Sequence, residues 1–281
     1  MANLDLAAMT RRAKNPRRTI IPMRAIKAQA TQATNLWQSA YRPVVQAWEA
    51  ALPAILAEYD RTLAQMTTDS PADVEARIGQ AEAEAQSIVL RVSIALERWA
   101  AAVERWHRRR WVANVLSATS VDLSTMIGAP DMRMTLEAAI ARNTGLIKSV
   151  SDETRRRVGD AVFRGLQNRT PSRDVARQLR EAVGIERRRA LRIASDQLSK
   201  LAGALNSERR RQSGISEFRW VHSGKLHPRE DHLSRDGKLY TENPERVGKE
   251  YQGKTIRKAP DDRASQLPFC GCTEAAVLIL E

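Results

Sequence analysis

Residues 71–116 read PADVEARIGQAEAEAQSIVLRVSIALERWAAAVERWHRRRWVANVL. Ile78, Ala81, Ala85, Ile88, Val92, Ala95, Trp99, Val103 and Trp106 succeed one another at steps of three or four, the spacing that puts side chains on one face of a helix. The start is marked as well: Ser70 suits an N-cap, Pro71 the first helical position, and Asp73 the positive end of the helix dipole. An apolar seam this long needs a partner. Trp37, Tyr41, Val44, Trp48, Leu52, Ile55, Tyr59 and Leu63 supply one at the same spacing, so the two stretches are expected to pair as an antiparallel helical hairpin. Pro43 and Pro53 predict that the first arm is two or three helical pieces or one kinked helix. Trp37, Trp48, Trp99 and Trp106 lie on the apolar faces and are expected in the core, whereas Trp111, beside Arg108, Arg109 and Arg110, is a candidate for a surface patch.

Downstream, Gly128, Ala129 and Pro130 break the pattern and are the expected domain boundary. A short helix over 131–143 is succeeded by one starting at Ser151, with Asp152 and Glu153 in its first turn, and running to about Gly165. Thr170, Pro171 and Asp174 open the next, with Val175, Leu179 and Val183 as its apolar face and Gly184 as its stop; another runs from Glu186 to Arg211, where Gly214 ends it. Beyond Gly214 the texture changes to short extended pieces: 218–222, 238–240 after a turn at Asp236 and Gly237, and 275–280. The fold class expected is mainly α, with a long helical hairpin-type N-terminal domain (31–128), a basic helical middle region (131–212) and a small loop-rich α+β C-terminal module (213–281). Residues 1–30 lack apolar periodicity and read as a basic flexible arm.

The net charge of +13 is unevenly placed. Residues 1–30 carry seven Lys or Arg against one Asp, residues 151–212 sixteen against eight, and residues 213–281 eleven of each sign. Such an excess suits nucleic-acid phosphate or an acidic protein surface, and attraction for DNA would fall steeply with salt; the other reading is that the arginine-rich faces are simply solvated. Candidate contact residues are Arg11, Arg12, Arg17 and Arg18 in the arm and Arg155, Arg156, Arg187 and Arg188 in the helices. The N-terminal stretch lacks a signal-peptide apolar core, and no apolar run approaches the roughly 20 residues of a membrane span, so a cytoplasmic product with no membrane partner is expected.

Local chemistry concentrates in one place. His222, His227 and His232 lie close together in the stretch beginning WVHSGKLHPREDH at Trp220, and the chain's two cysteines, Cys270 and Cys272, are separated only by Gly271. A Cys-x-Cys pair is poorly placed for a mutual disulfide. His227, His232, Cys270 and Cys272 would make an N2S2 tetrahedron for one structural Zn2+, with His222 as a competing ligand; the alternative is a pair of reduced cysteines beside histidines that hydrogen-bond the loops. No set of acid, base and nucleophile emerges, so no enzyme is expected. Asp231, His232 and Asn243 have a superficial likeness to an HNH-type metal-dependent nuclease, but no second histidine comes after the asparagine. A basic DNA-binding regulator lacks a recognition helix.

The stretch from about Asn143 to Cys272 resembles the phage Mu protein F-like family of head morphogenesis, or minor head, proteins. The residues carrying the resemblance are NTGLIKSVSDETRRRVGDAVFRGLQNRTPSRDVARQLREAVG, then RALRIASDQLSKLAGALNSERRRQSGI, then Trp220, His222, Ser223, Arg229, His232, Asp236 and Gly237, and the closing PFCGC. Two positions depart from it: Gln197 stands where an acidic residue is expected and Gly271 where arginine is. The resemblance implies a minor capsid component of the virion, associated with the portal protein and capsid interior, working with capsid or scaffold proteins and the packaged double-stranded DNA in head assembly and genome packaging.

Overall fold

The computed structural model describes residues 4–14, 19–65, 72–128, 130–226 and 228–280. Its elements in order are α1 (Leu6–Lys14), β1 (Ile20–Pro22), α2 (Ala30–Leu36), α3 (Arg42–Gln65), α4 (Ala72–Arg91), α5 (Ser93–Thr119), α6 (Arg133–Gln167), α7 (Ser172–Gln212), β2 (Glu217–Val221), α8 (Glu230–Ser234), β3 (Leu239–Thr241), β4 (Glu250–Tyr251), β5 (Lys254–Lys258) and β6 (Thr273–Ile279). The protein is mainly α with a C-terminal α+β part. It divides into two compact units, each assembled from separated stretches: a helical unit of Ala33–Trp99 and Ile140–Ser195, and a sheet-bearing unit of Met1–Gln32, Ala100–Ala139 and Asp196–Glu281. Of the divisions expected at 30, 128 and 212, the first lies close to the change of unit after Gln32, whereas no change of unit falls at 128 or 212. Helices α5, α6 and α7 each change unit partway along, and helical periodicity carries no mark where a helix changes its packing partner. The loop at Gly128 lies within the sheet-bearing unit.

In the helical unit α3 packs on α4, as the paired seams require. α3 continues through Pro53. The other proline acts upstream: Pro43 cannot donate a backbone bond, and the turn before it, Trp37–Tyr41, opens into a π-helix that closes with the Arg42 N–H on the Trp37 carbonyl. The seam over 72–116 is divided into α4 and α5 by a turn at Val92, across which the bonds from Val92 N to Ile88 O and from Leu96 N to Val92 O persist. Ser70 and Pro71 lie outside the described residues.

Three buried aromatic groups tie α3 and the π-helical turn before it to α6 and to the loop between α6 and α7. Tyr41 Oη donates to Asn143 Oδ1 at 2.9 Å, Trp48 Nε1 to Ser151 Oγ at 3.0 Å, and Tyr59 Oη to the Thr170 carbonyl. Ser151 is therefore a buried acceptor inside α6 and not a cap, and the two helices expected over 131–165 are one. Likewise α7 does not stop at Gly184 but runs to Gln212; a mid-helix glycine costs about 1 kcal/mol, less than the burial of the adjoining Val183 and Ala182 contributes.

The sheet-bearing unit holds six strands in the order β1-β6-β2-β3-β5-β4, antiparallel except for the β3–β5 pair. β6 is buried along its whole length. On one face Ile21, Ala276 and Leu278 share a hydrophobic cluster with Leu6, Met23, Ile26, Trp111 and Val115; on the same face Phe218, Trp220 and Tyr240 cluster with Cys270 and Cys272. Two expectations are corrected here. The N-terminal stretch is not a free arm: α1 carries fully buried Leu6, and Ile20, Ile21 and Pro22 pair with Ile279, Leu278 and Val277 of β6. Trp111 is core, 3% exposed, and not surface. Both contacts join residues far apart in the chain, which local periodicity does not register.

The last turn of α7 buries two arginines. Arg209 Nη2 lies 2.6 Å from Glu104 Oε1 and 3.0 Å from the Gly128 carbonyl, and Arg210 Nη2 is 2.9 Å from Glu274 Oε2 and 3.0 Å from Glu242 Oε1. Buried ion pairs of this kind contribute little net stability but are strongly destabilising when one partner is removed. Gly214, with φ +67, ends α7, and a Cβ there would sit 2.6 Å from the Leu4 carbonyl oxygen. Among the described residues no helix is long and apolar enough to cross a membrane.

Candidate metal centre

α8 is a single short helix, and it turns His232 inward, 2% exposed, while Glu230 and Asp231 stay outside. The loop that leads into β6 brings Cys270 and Cys272 against it, both buried. That loop is held from several sides. Asp196 Oδ1 accepts the Phe269 N–H at 2.6 Å, Lys200 Nζ donates to the Leu267 carbonyl at 3.2 Å, and Arg229 Nη2 donates to the Pro268 carbonyl at 3.0 Å. Lys225 Nζ donates to the Phe269 carbonyl, and Ser265 Oγ donates to the Cys272 carbonyl at 2.6 Å. Gly271 sits where a Cβ would be 3.0 Å from both Ser223 Cβ and Lys225 Cε. An arginine at this position would have to displace both.

The ligand atoms converge. His232 Nδ1 is 3.4 Å from Cys270 Sγ and 3.8 Å from Cys272 Sγ, and all three ligand atoms lie within 4.8 Å of one another. Tetrahedral zinc with Zn–S of about 2.3 Å and Zn–N of about 2.0–2.1 Å has N···S edges of about 3.6 Å, so the histidine stands at the right separation from both sulfurs. The other ring nitrogen is engaged too: Nε2 lies 2.9 Å from Asp262 Oδ2, and Arg235 Nη1 holds Asp262 Oδ1 at 2.7 Å. A carboxylate on the far nitrogen fixes the tautomer and orients the ring, the usual outer-shell arrangement of a metal-binding histidine. The Trp220 ring packs edge-on against His232, with centroids 5.1 Å apart.

The thiols behave as a coupled pair. A hydrogen bond from Cys272, backbone donors and His232 bring the Cys270 thiol down to about 5, while that same bond, burial and the neighbouring thiolate push Cys272 up. The pair therefore keeps one proton between two sulfurs. A divalent cation would displace that proton, and the resulting dithiolate–imidazole set suits zinc by ligand softness. These residues fit such an ion.

Of the other residues singled out in the sequence, His227 lies outside the described residues. His222 is not part of the cluster: its Nδ1 accepts from the Gly224 N–H at 3.1 Å. The HNH-like triplet is used differently, because both His232 nitrogens are engaged as above, Asp231 is exposed, and Asn243 Oδ1 accepts from the Glu245 N–H at 3.0 Å. Asp262 was not singled out by sequence; an acidic residue in a charged loop has no local signal, and only the fold sets it on His232.

The basic candidates separate into two groups. In the helical unit Arg155 reaches Glu75 and Glu82, Arg156 reaches Glu153 and Asp160, and Arg187 lies 3.8 Å from Glu49. Much of that charge is thus neutralised within the unit. Arg188 is exposed, as are Arg11 and Arg12 on α1. Arg17 and Arg18 lie outside the described residues. Gln197, which replaces the expected acid, is buried and donates from Nε2 to Asp196 Oδ2 at 3.1 Å.

Comparison with known proteins agrees with the motif reading. Residues 156–275 match the model of the family described as phage Mu protein F like protein. That stretch is similar to the Mu protein F-like domain, and His232, Asp262, Cys270 and Cys272 all fall inside it. An uncharacterized protein of Haemophilus influenzae is 31% identical over 128 residues, 45% of this chain and 29% of that protein. The chain therefore spans less than a third of that relative's length. No solved structure matches the chain.

Proposed function

We propose that this is a non-enzymatic minor head protein that acts in phage head morphogenesis at the portal vertex and capsid interior, with the His232–Cys270–Cys272 cluster as a structural zinc staple of its sheet-bearing unit. The observation that carries the reading is the Mu protein F-like domain over residues 156–275. The site supports a staple over a reaction centre. Its ligands are buried, and the loop that supplies both cysteines is pinned by Asp196, Lys200, Arg229 and Lys225. Thiolate-rich sets are typical of structural zinc, which takes four protein ligands; three converge here, and in this reading His227, the fourth candidate of the sequence, completes the tetrahedron. In this reading the partners are the portal protein, capsid or scaffold proteins and the packaged double-stranded DNA, and the protein moves from host cytoplasm into the virion.

The test is purification of heads and portal complexes from phage-producing cells, with elemental analysis of the same fraction. Co-purification with portal and about one zinc per chain is the expected result. Absence of the chain from both heads and portal complexes would overturn the head-protein reading; its presence without zinc would overturn the staple alone.

A further inference from the structure

We propose that a cationic groove in the sheet-bearing unit, between residues 24–29 and α5, is a phosphodiester-binding site for double-stranded DNA. It gives a location to the genome contact that the head-protein reading leaves open, and it rests on that reading for the choice of DNA among polyanions. The groove encloses about 380 Å³; Arg24, Lys27 and Arg110 line it, with Gln29, Asn114 and Trp106 and a few apolar residues between them.

Four observations carry it. No acidic residue lines the groove, and among the described residues none of the three cations forms an ion pair, in contrast to Arg155, Arg156 and Arg187. The wall is built and not incidental: Asn114 Nδ2 donates to the Arg24 carbonyl at 2.7 Å, fixing the 24–29 segment on α5, and Ile26 anchors it in the core. The polar part of the lining is of the kind that contacts phosphates, namely arginine, lysine and amide-bearing residues, which position a protein without reading sequence. Finally, Trp106 meets His107 edge-on at 6.3 Å and its Nε1 is buried. A half-buried indole in that setting is poorly placed as a stacking platform, which favours a duplex backbone over unstacked bases. An acidic peptide is the other polyanion such cations could take, and the head-protein reading selects DNA over it.

The experiment uses the full chain, a fluorescent 30-base-pair duplex of random sequence, and anisotropy titrations at several NaCl concentrations. Each neutralised phosphate contributes about 0.9 to the slope of log K against log salt. Arg24→Gln, Lys27→Gln and Arg110→Gln together should lower the slope by about 2 to 3 and weaken binding at least tenfold. The matched triple Arg156→Gln, Arg187→Gln and Arg188→Gln should leave the slope in place. All six side chains are surface groups, and unchanged thermal melting will show that both variants fold. An unchanged slope in the groove triple overturns the proposal, as does a wild-type chain with no salt-dependent binding. Tighter binding of oligo-dT, lost in Trp106→Leu, or binding of polyglutamate but not duplex, would likewise overturn it. Absence of the chain from heads would refute the head-protein reading and leave these titrations standing, so the two failures are distinct.

Discussion

His232 Nε2 and Asp262 Oδ2 lie 2.9 Å apart, which leaves Nδ1 as the nitrogen turned toward both cysteine sulfurs. The carboxylate holds the ring at its angle. Asp262→Asn keeps an acceptor of the same shape but removes the charge, so zinc affinity should fall by about 10- to 100-fold while the fold persists. His232→Ala and Cys272→Ser should lose stoichiometric zinc altogether. Competition against a chromophoric chelator reads all three. Equal affinity of Asp262→Asn and the wild type would show that the pair does not serve a metal.

The sequence makes His232, Cys270 and Cys272 legible because rare residue types cluster at short spacing, and the long seams around Trp48 and Trp99 are legible because helical periodicity is local. Asp262, the strand pairing of Ile20 and Ile21, and the burial of Arg209 and Arg210 are of another kind. Each depends on a contact between residues far apart in the chain, and each runs against local preference: an acid facing a ring, β-branched residues in a basic stretch, arginines in a core. Gly184 shows the converse, a strong local stop signal overridden by the packing of Val183 and Ala182 within one continuous helix.

His107 ties acid stability to one buried ring. It is fully buried on α5, its Nε2 is 2.9 Å from Asn206 Oδ1, and burial lowers its pKa from 6.5 to about 4, with Arg209 adding repulsion. Because the folded value lies below the unfolded one, the unfolded chain binds the proton first as pH falls. The stability is present above about pH 6.5 and is lost on descent toward pH 4, by about 3 kcal/mol from this group. Urea midpoints measured from pH 7 to pH 4 should fall, and His107→Gln should flatten that part of the profile. A profile identical to wild type would rule the ring out as its source.

Two glycines in helices of the helical unit should respond in opposite directions. A Cβ on Gly165 would lie 2.8 Å from Val175 Cγ2 and 3.0 Å from Tyr59 Oη, whereas a Cβ on Gly79 meets nothing within 4 Å. Gly165→Ala forces apart the close packing around Tyr59 and should cost about 1–3 kcal/mol. Gly79→Ala removes backbone entropy from the unfolded chain and should stabilise by about 0.5–1 kcal/mol. Thermal melting of both variants decides it, and a shift of the same sign in each would contradict the packing described.

The N-terminal segment gives the sharpest contrast between a free arm and a structural strand. Deleting residues 1–27 would strip β1 from β6, leaving an unpaired edge along a strand that is otherwise wholly buried, and would remove Leu6, Ile21, Met23 and Ile26 from their cluster with Trp111. Exposed edges of this kind promote association between chains. The truncated chain should therefore melt earlier and aggregate, whereas Arg11→Gln with Arg12→Gln should melt as the wild type does, because both side chains are exposed. A milder variant, Leu6→Ala, removes one fully buried side chain and should cost about 2–5 kcal/mol. A truncated protein that stays monomeric and melts with the wild type would mean that these residues serve only as a basic tether. The ordered strand predicts the opposite: charge on this segment is dispensable for folding and its apolar residues are not.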